Sequence, residues 1–214
     1  MKIIYFDTVE QAIIFSLSEI QEYRSLKSNV CLTGGRFGID FCSNLIDSEL
    51  DISDWRIFQT DERLDTDKEE TIQLQIIESL KVCKGYRDSN MIFFPQSKIE
   101  LESGHENLSQ LRNEENFDLV FLSLGEDGHL AGHFKTSEIF EDGIFCRTDN
   151  APKNPKERIS YTINYLYKSK KIILVCFGQS KEIALKDFIS GKGMHSFLKD
   201  HRNITLLTNL QGVE

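Results

Sequence analysis

Three side chains able to move protons or carry charge fall within four consecutive residues: Glu126, Asp127 and His129. Gly125 precedes them, Gly128 stands between Asp127 and His129, and the apolar run 119–124 comes before. An imidazole with an ordinary pKa near ~6.5 takes and returns a proton at neutral pH. A buried strand ending in a glycine turn is where an open α/β sheet presents its chemistry. The alternative is purely structural: the glycines permit a turn and His129 caps a helix.

Three further strand ends carry glycine, cations or both: Thr33-Gly34-Gly35-Arg36, Thr60-Asp61-Glu62-Arg63 and Gly178-Gln179-Ser180-Lys181. Gly34 and Gly35 let backbone N–H groups approach an anion at the start of a helix. Arg63 and Lys181 can donate charge-assisted hydrogen bonds. Singly these are common features; together they describe an anion site beside a proton-transfer group.

These groups need strands and helices to bring them together. Apolar runs predict strands over 2–6, 29–33, 55–59, 91–94, 119–124, 171–177 and 204–207. Helical spacing predicts helices over 8–27, with Thr8 as N-cap, and over 37–47, 104–115 and 181–190. Ile72, Ile76, Ile77 and Leu80 mark another helix, with Asp and Glu crowding its first turn. Residues 135–157 are polar and read as a long excursion with one short strand over 144–147, and 159–162 can pair with it. Strands alternating with helices predict a three-layer α/β/α architecture, doubly wound around a mostly parallel, Rossmann-like sheet. No repeat or linker interrupts the pattern, so residues 1–214 are expected to form one domain.

Composition narrows the function classes. The net charge of −9 argues against general nucleic-acid binding, which relies on neutralising phosphates. No apolar run approaches the ~20 residues of a membrane span, and the N-terminus does not read as a secretory signal. The five cysteines form no CxxC pair and sit mostly in apolar runs, as buried side chains do in a reducing compartment. The expected location is the cytoplasm. His105 and His195 are expected at the surface, and His201 to cap or pack near the C-terminus.

The strand-end motifs, in order, resemble those of the 6-phosphogluconolactonase family, within the sugar-phosphate isomerase and deaminase fold group. GEDGHLAGHF is similar to the family's GxDGHxAS-F element, and Asp61-Glu62-Arg63 to its DER element. Glu157-Arg158-Ile159-Ser160 resembles its ERxT segment, Gly178 to Lys181 its G-x-x-K, and SFLKDH at 196–201 its late serine and histidine. The resemblance covers nearly the whole chain. It implies hydrolysis of 6-phosphoglucono-1,5-lactone in the oxidative pentose phosphate pathway, with no cofactor, metal or covalent nucleophile. It implies His129 as general base, with Asp127 and Glu126 orienting it or its water. Arg63 and Lys181 would hold the 6-phosphate, Arg158 phosphate or hydroxyls, and Gly34 and Gly35 would supply N–H donors. Asp61 belongs to the same site. The expected partner is a small sugar phosphate, bound by a monomer or weak homo-oligomer.

Departures stand beside these matches. The family's SGGSTP loop reads TGGRFG, so two hydroxyls are missing and Arg36 becomes the candidate replacement. Gly132-His133-Phe134 stands where the family has Ser-Leu-Phe. Two alternatives therefore stay open: a sugar-phosphate sensor without turnover, and an amino-sugar-phosphate deaminase. The deaminase pattern continues as GHIAFNEP, whose glutamate partners the histidine; GHLAGHFKT carries no carboxylate. His129 and His133 have the i, i+4 spacing of a zinc helix but lack the HExxH glutamate and a third ligand.

Overall fold

The structure, a computed structural model, describes residues 1–23, 27–45, 50–103, 108, 111 and 116–212. Strands β1 (Lys2–Tyr5), β2 (Ser28–Leu32), β3 (Trp55–Gln59), β5 (Met91–Ile92), β6 (Leu119–Ser123), β10 (Lys171–Cys176) and β11 (Ile204–Thr208) form a seven-stranded sheet in the order β1-β11-β10-β6-β2-β3-β5. Every pair in it is parallel. Helices α1 (Val9–Glu19), α2 (Gly35–Asn44) and α3 (Ile72–Leu80) cover one face; α4 (Lys98–Glu102), α5 (Ile163–Leu166) and α6 (Glu182–Ser190) contribute to the other. Among the described residues, no helix is long and apolar enough to cross a membrane.

Strand periodicity divides the core. Along β6, Leu119 and Phe121 join the cluster under α1, α2 and α3, while Val120 and Leu122 join the cluster on the opposite face. Such two-sided burial is why central parallel strands read as continuous apolar runs. Thr8 caps α1 as expected, accepting from the Gln11 N–H at 3.3 Å. The helix expected over 104–115 lies almost wholly outside the described residues, as do the end of that expected over 37–47 and His105.

Two features depart from expectation. A second, four-stranded sheet in the order β4-β9-β8-β7 joins Asp61–Arg63 (β4), Arg158–Tyr161 (β9), Phe145–Thr148 (β8) and Glu138–Ile139 (β7), all antiparallel. The excursion supplies β7 and β8, and β8 pairs with β9 as expected of the strands over 144–147 and 159–162; the additions of β4 and β7 are the departure. Second, α3 has no acidic residue in its first turn. The acids lie in a preceding 3₁₀ turn, Lys68–Glu70, and Thr71 caps the helix instead.

The order in which the chain adds strands reverses between β2 and β6, which run parallel, and there the sheet opens. These strands pair only at Val30–Leu119 and Cys31–Val120. Beyond that point β2 leans to β3, through Thr60 N–H to Leu32 O at 2.9 Å, and β6 to β10, through Leu124 N–H to Val175 O at 3.0 Å. Ligand crevices in open α/β sheets form at such a switch point.

Candidate active site

The crevice is a cavity of about 420 Å³. Its walls include Gly34, Gly35, Asp61, Arg63, Glu126, Asp127, His129, Arg158 and Lys181, all singled out from the sequence. Arg36 is not among the lining residues; it is exposed on the first turn of α2. Thr33 and Phe134, which belong to the quoted motifs, also line it, as do Ser123 and the segment 151–154, to which the sequence reading assigned no role.

The GEDGH turn holds itself together. Gly128 N–H donates to Gly125 O at 3.1 Å, and Gly125 N–H to His129 O at 2.9 Å. No helix follows, so His129 caps none. A Cβ on Gly125 would lie 2.2 Å from the His129 ring, so only glycine leaves room for the imidazole. Phe134 packs against the ring with centroids 4.4 Å apart. His129 Nδ1 makes a short contact with Asp127 Oδ1. Burial raises the Asp127 carboxyl, but the hydrogen bond and charge of His129 outweigh it and leave it below the usual carboxylate range. An ionised carboxylate only accepts, so Nδ1 carries the hydrogen and Nε2 is the basic atom.

Glu126 is engaged elsewhere: one oxygen accepts from Ser180 Oγ at 3.0 Å and the other from Lys153 Nζ at 3.3 Å. Asp127 therefore contacts the imidazole, whereas the hydrogen bonds of Glu126 lead to Ser180 and Lys153.

The cations come from both sheets. In the β4–β9 pairing Arg63 stands directly opposite Arg158, a like-charge placement that sheets ordinarily avoid. Arg63 Nη1 donates to Glu70 O at 2.7 Å. Arg158 is only 8% exposed, and its buried Nη1 has no hydrogen-bond partner. Burial and then the Arg63 charge press against the Arg158 guanidinium, while Asp61 supports it. Asp61 is itself buried; this raises its pKa, partly offset by the Thr60 hydroxyl and by Arg158, His129 and Arg63. Lys181 donates to Ser123 Oγ at 3.3 Å, and burial lowers its pKa. A buried donor without a partner costs stability unless something accepts from it. Among the described lining residues, this cluster is suited to an oxyanion.

Gly132 packs closely on strands β4 and β9 of the small sheet at the site. A Cβ there would meet Ser160, Asp61 and Arg158 at 3.0, 3.1 and 3.3 Å, and its N–H donates to Ser160 Oγ at 3.1 Å. The serine expected from the resemblance would crowd this contact.

Two other histidines lie behind the loop. His195, expected at the surface, is 4% exposed and donates through Nε2 to His133 O at 3.0 Å. His133 Nδ1 accepts from the Ile163 N–H at 3.2 Å, and the two rings are 4.6 Å apart. His133 and His129 share no helix, which removes the zinc-helix spacing as a geometric fact. His201 is buried and bonds Ser169 O at 2.8 Å. Burial, then the neighbouring His195, push the His133 pKa down from 6.5 to about 4. Folding thus favours the neutral ring. Its stabilisation is complete above 6.5 and is lost as pH falls from 6.5 through about 4. Melting temperature should therefore drop over that window, and drop less in His133→Asn, whose amide oxygen can still accept from Ile163. Parallel pH profiles for the two proteins would count against this assignment.

Comparison with known proteins places residues 6–198 in the family described as glucosamine-6-phosphate isomerases/6-phosphogluconolactonase. A 6-phosphogluconolactonase of Borreliella burgdorferi is 27% identical over 199 residues, covering 86% of this chain and 84% of that protein. A glucosamine-6-phosphate deaminase of Lactococcus lactis is 23% identical over 197 residues, covering 83% of each. The solved 6-phosphogluconolactonase from Leishmania guyanensis superposes with a TM-score of 0.82 at 19% identity, over 100% of this chain and 98% of that one. A monomeric glucosamine-6-phosphate deaminase superposes with a TM-score of 0.78 at 17% identity, over 97% of each. These structural likenesses establish a shared fold.

Proposed function

Because the chain belongs to the glucosamine-6-phosphate isomerase and 6-phosphogluconolactonase family, we propose that its pocket hydrolyses 6-phosphoglucono-1,5-lactone to 6-phosphogluconate. The observation that carries this reading is one cavity holding both the His129–Asp127 pair and the Arg63, Arg158 and Lys181 cations. His129 Nε2 takes a proton from water as its oxygen attacks the lactone carbonyl carbon. The tetrahedral intermediate collapses, the ring C–O bond breaks, and the imidazolium returns its proton to the departing ring oxygen. Asp127 holds the ring orientation and stabilises the imidazolium. The lactone is already activated toward water, so positioning and one base supply a useful rate. Arg63 and Lys181 hold the phosphate, and Arg158 directs its free Nη1 donor to phosphate or hydroxyl oxygens. The product serves the oxidative pentose phosphate pathway, and the cytoplasm is the matching location.

The lactonase reading is favoured over the deaminase by the histidine's partner. Residues 130–137 carry no carboxylate, and Asp127 contacts His129 from within the turn. Steady-state turnover of freshly prepared 6-phosphogluconolactone, beside glucosamine 6-phosphate, tests the assignment. Binding of the lactone with no hydrolysis above background would instead indicate a sugar-phosphate sensor. Arg63→Ala and Lys181→Ala should each raise KM about tenfold or more with a smaller change in kcat, since a charge-assisted bond to phosphate acts in ground and transition states alike. Unchanged KM in both variants would move the phosphate elsewhere.

A further inference from the structure

The polar excursion sends a cation into the pocket that the reaction above does not use. Ala151, Pro152, Lys153 and Asn154 line the same cavity as the GEDGH turn. The segment is pinned at its base. Buried Ala151 donates its N–H to Lys156 O at 3.0 Å, Lys156 Nζ donates to Pro152 O at 3.2 Å, and Leu64 N–H donates to Glu157 O at 3.1 Å. Between these anchors the Lys153 side chain is 80% exposed, with Nζ 3.3 Å from Glu126 Oε2. Glu126 has a second hold, the Ser180 hydroxyl. Its ties to Ser180 and Lys153 hold its carboxyl below the usual range, so it stays an anion.

An exposed lysine–carboxylate pair contributes little net stability, because solvent screens it and two long side chains must be ordered. A phosphate offers more charge and three acceptor oxygens. It outcompetes a half-exposed carboxylate for an ammonium group within reach of both.

We propose that Lys153 determines specificity for the phosphorylated sugar: it exchanges Glu126 for the substrate's phosphate, and Glu126 acts as a built-in competing anion. The inference deepens the sugar-phosphate reading of this pocket and rests on it. It assigns Glu126 a role in setting affinity rather than in orienting the base. It also gives the 151–154 segment a task, closing over a bound phosphate through one flexible side chain.

Calorimetric titration of 6-phosphogluconate into the intact protein tests this without requiring turnover. Lys153→Ala should weaken binding about tenfold, and Lys153→Arg should restore most of the loss. Glu126→Gln should tighten binding about threefold, the scale of an exposed ion pair. That gain should vanish in the double variant with Lys153→Ala. Undiminished affinity in Lys153→Ala, or an equal gain from Glu126→Gln in both backgrounds, would overturn the exchange. Lactone hydrolysis by the same wild-type sample reports on the catalytic reading alone. A protein that binds as expected but does not hydrolyse leaves the inference standing, and one that does not bind 6-phosphogluconate overturns it.

Discussion

His129→Ala should lower kcat for lactone hydrolysis by about 10²–10⁴-fold, the usual contribution of a positioned general base. The fold should survive the change. The His129 side chain is 31% exposed and sits on a turn whose hydrogen bonds run through backbone atoms. Its packing is mainly the single face shared with Phe134. Loss of rate should therefore come with a melting temperature within a few degrees of wild type, which thermal unfolding would verify beside the kinetics. Asp127→Asn gives a graded companion. It keeps the shape of the contact but removes the charge that stabilises the imidazolium, so kcat should fall less than in His129→Ala. A His129→Ala protein turning over within about twofold of wild type would remove the general-base role.

The largest expected effect on stability lies one residue from a pocket cation, Arg63. In β4, alternation sends Asp61 and Arg63 to the pocket and Glu62 the other way. Glu62 is fully buried and accepts four hydrogen bonds: Arg63 N–H at 2.6 Å, Ile72 and Gln73 N–H each at 2.8 Å, and Gln59 Nε2 at 2.9 Å. Two of these donors are the free N–H groups that begin α3. Burial raises the Glu62 pKa, and the four bonds pull it partly back. A carboxyl raised in this way stabilises the fold most below its unfolded pKa, and that share is lost as pH climbs through the folded value. Glu62→Ala strands these donors in the interior and should cost about 3–5 kcal/mol, or roughly 10 °C in melting temperature. Glu62→Gln should recover little, because its amide turns N–H groups toward N–H groups. Urea unfolding showing a loss under about 1 kcal/mol for the alanine variant would contradict this account.

Much of the sheet was legible because its strands are buried on both sides. Residues 119–123 and 171–176 are largely apolar runs stopped by turn signals, and few other structures suit such runs. The convergence of four strand ends followed from the topology that those runs imply. The small sheet was legible only at its β8–β9 pair, expected over 144–147 and 159–162. β4 is Asp-Glu-Arg and β7 only two residues, so neither carries an apolar period, and the partner of β4 lies about a hundred positions downstream. Arg36 and Lys153 show the same limit in the site. Both are charged residues in polar surroundings, and only the path of the backbone brings one into the cavity and leaves the other outside its lining. The burial of His195 likewise depends on a carbonyl 62 residues away.

Arg63 and Arg158, face to face across two short strands, carry a consequence for how such a protein can change. Bringing like charges together is Coulomb work, and the chain performs it while folding rather than when a ligand arrives. On the proposed reading, the guanidinium groups need little rearrangement to meet a phosphate, and its arrival would recover the repulsion. Readiness to bind and resistance to heat are therefore set against each other at this pair. Substitutions that neutralise either arginine would make a sturdier scaffold and a poorer receptor, and selection for one property alone would erode the other.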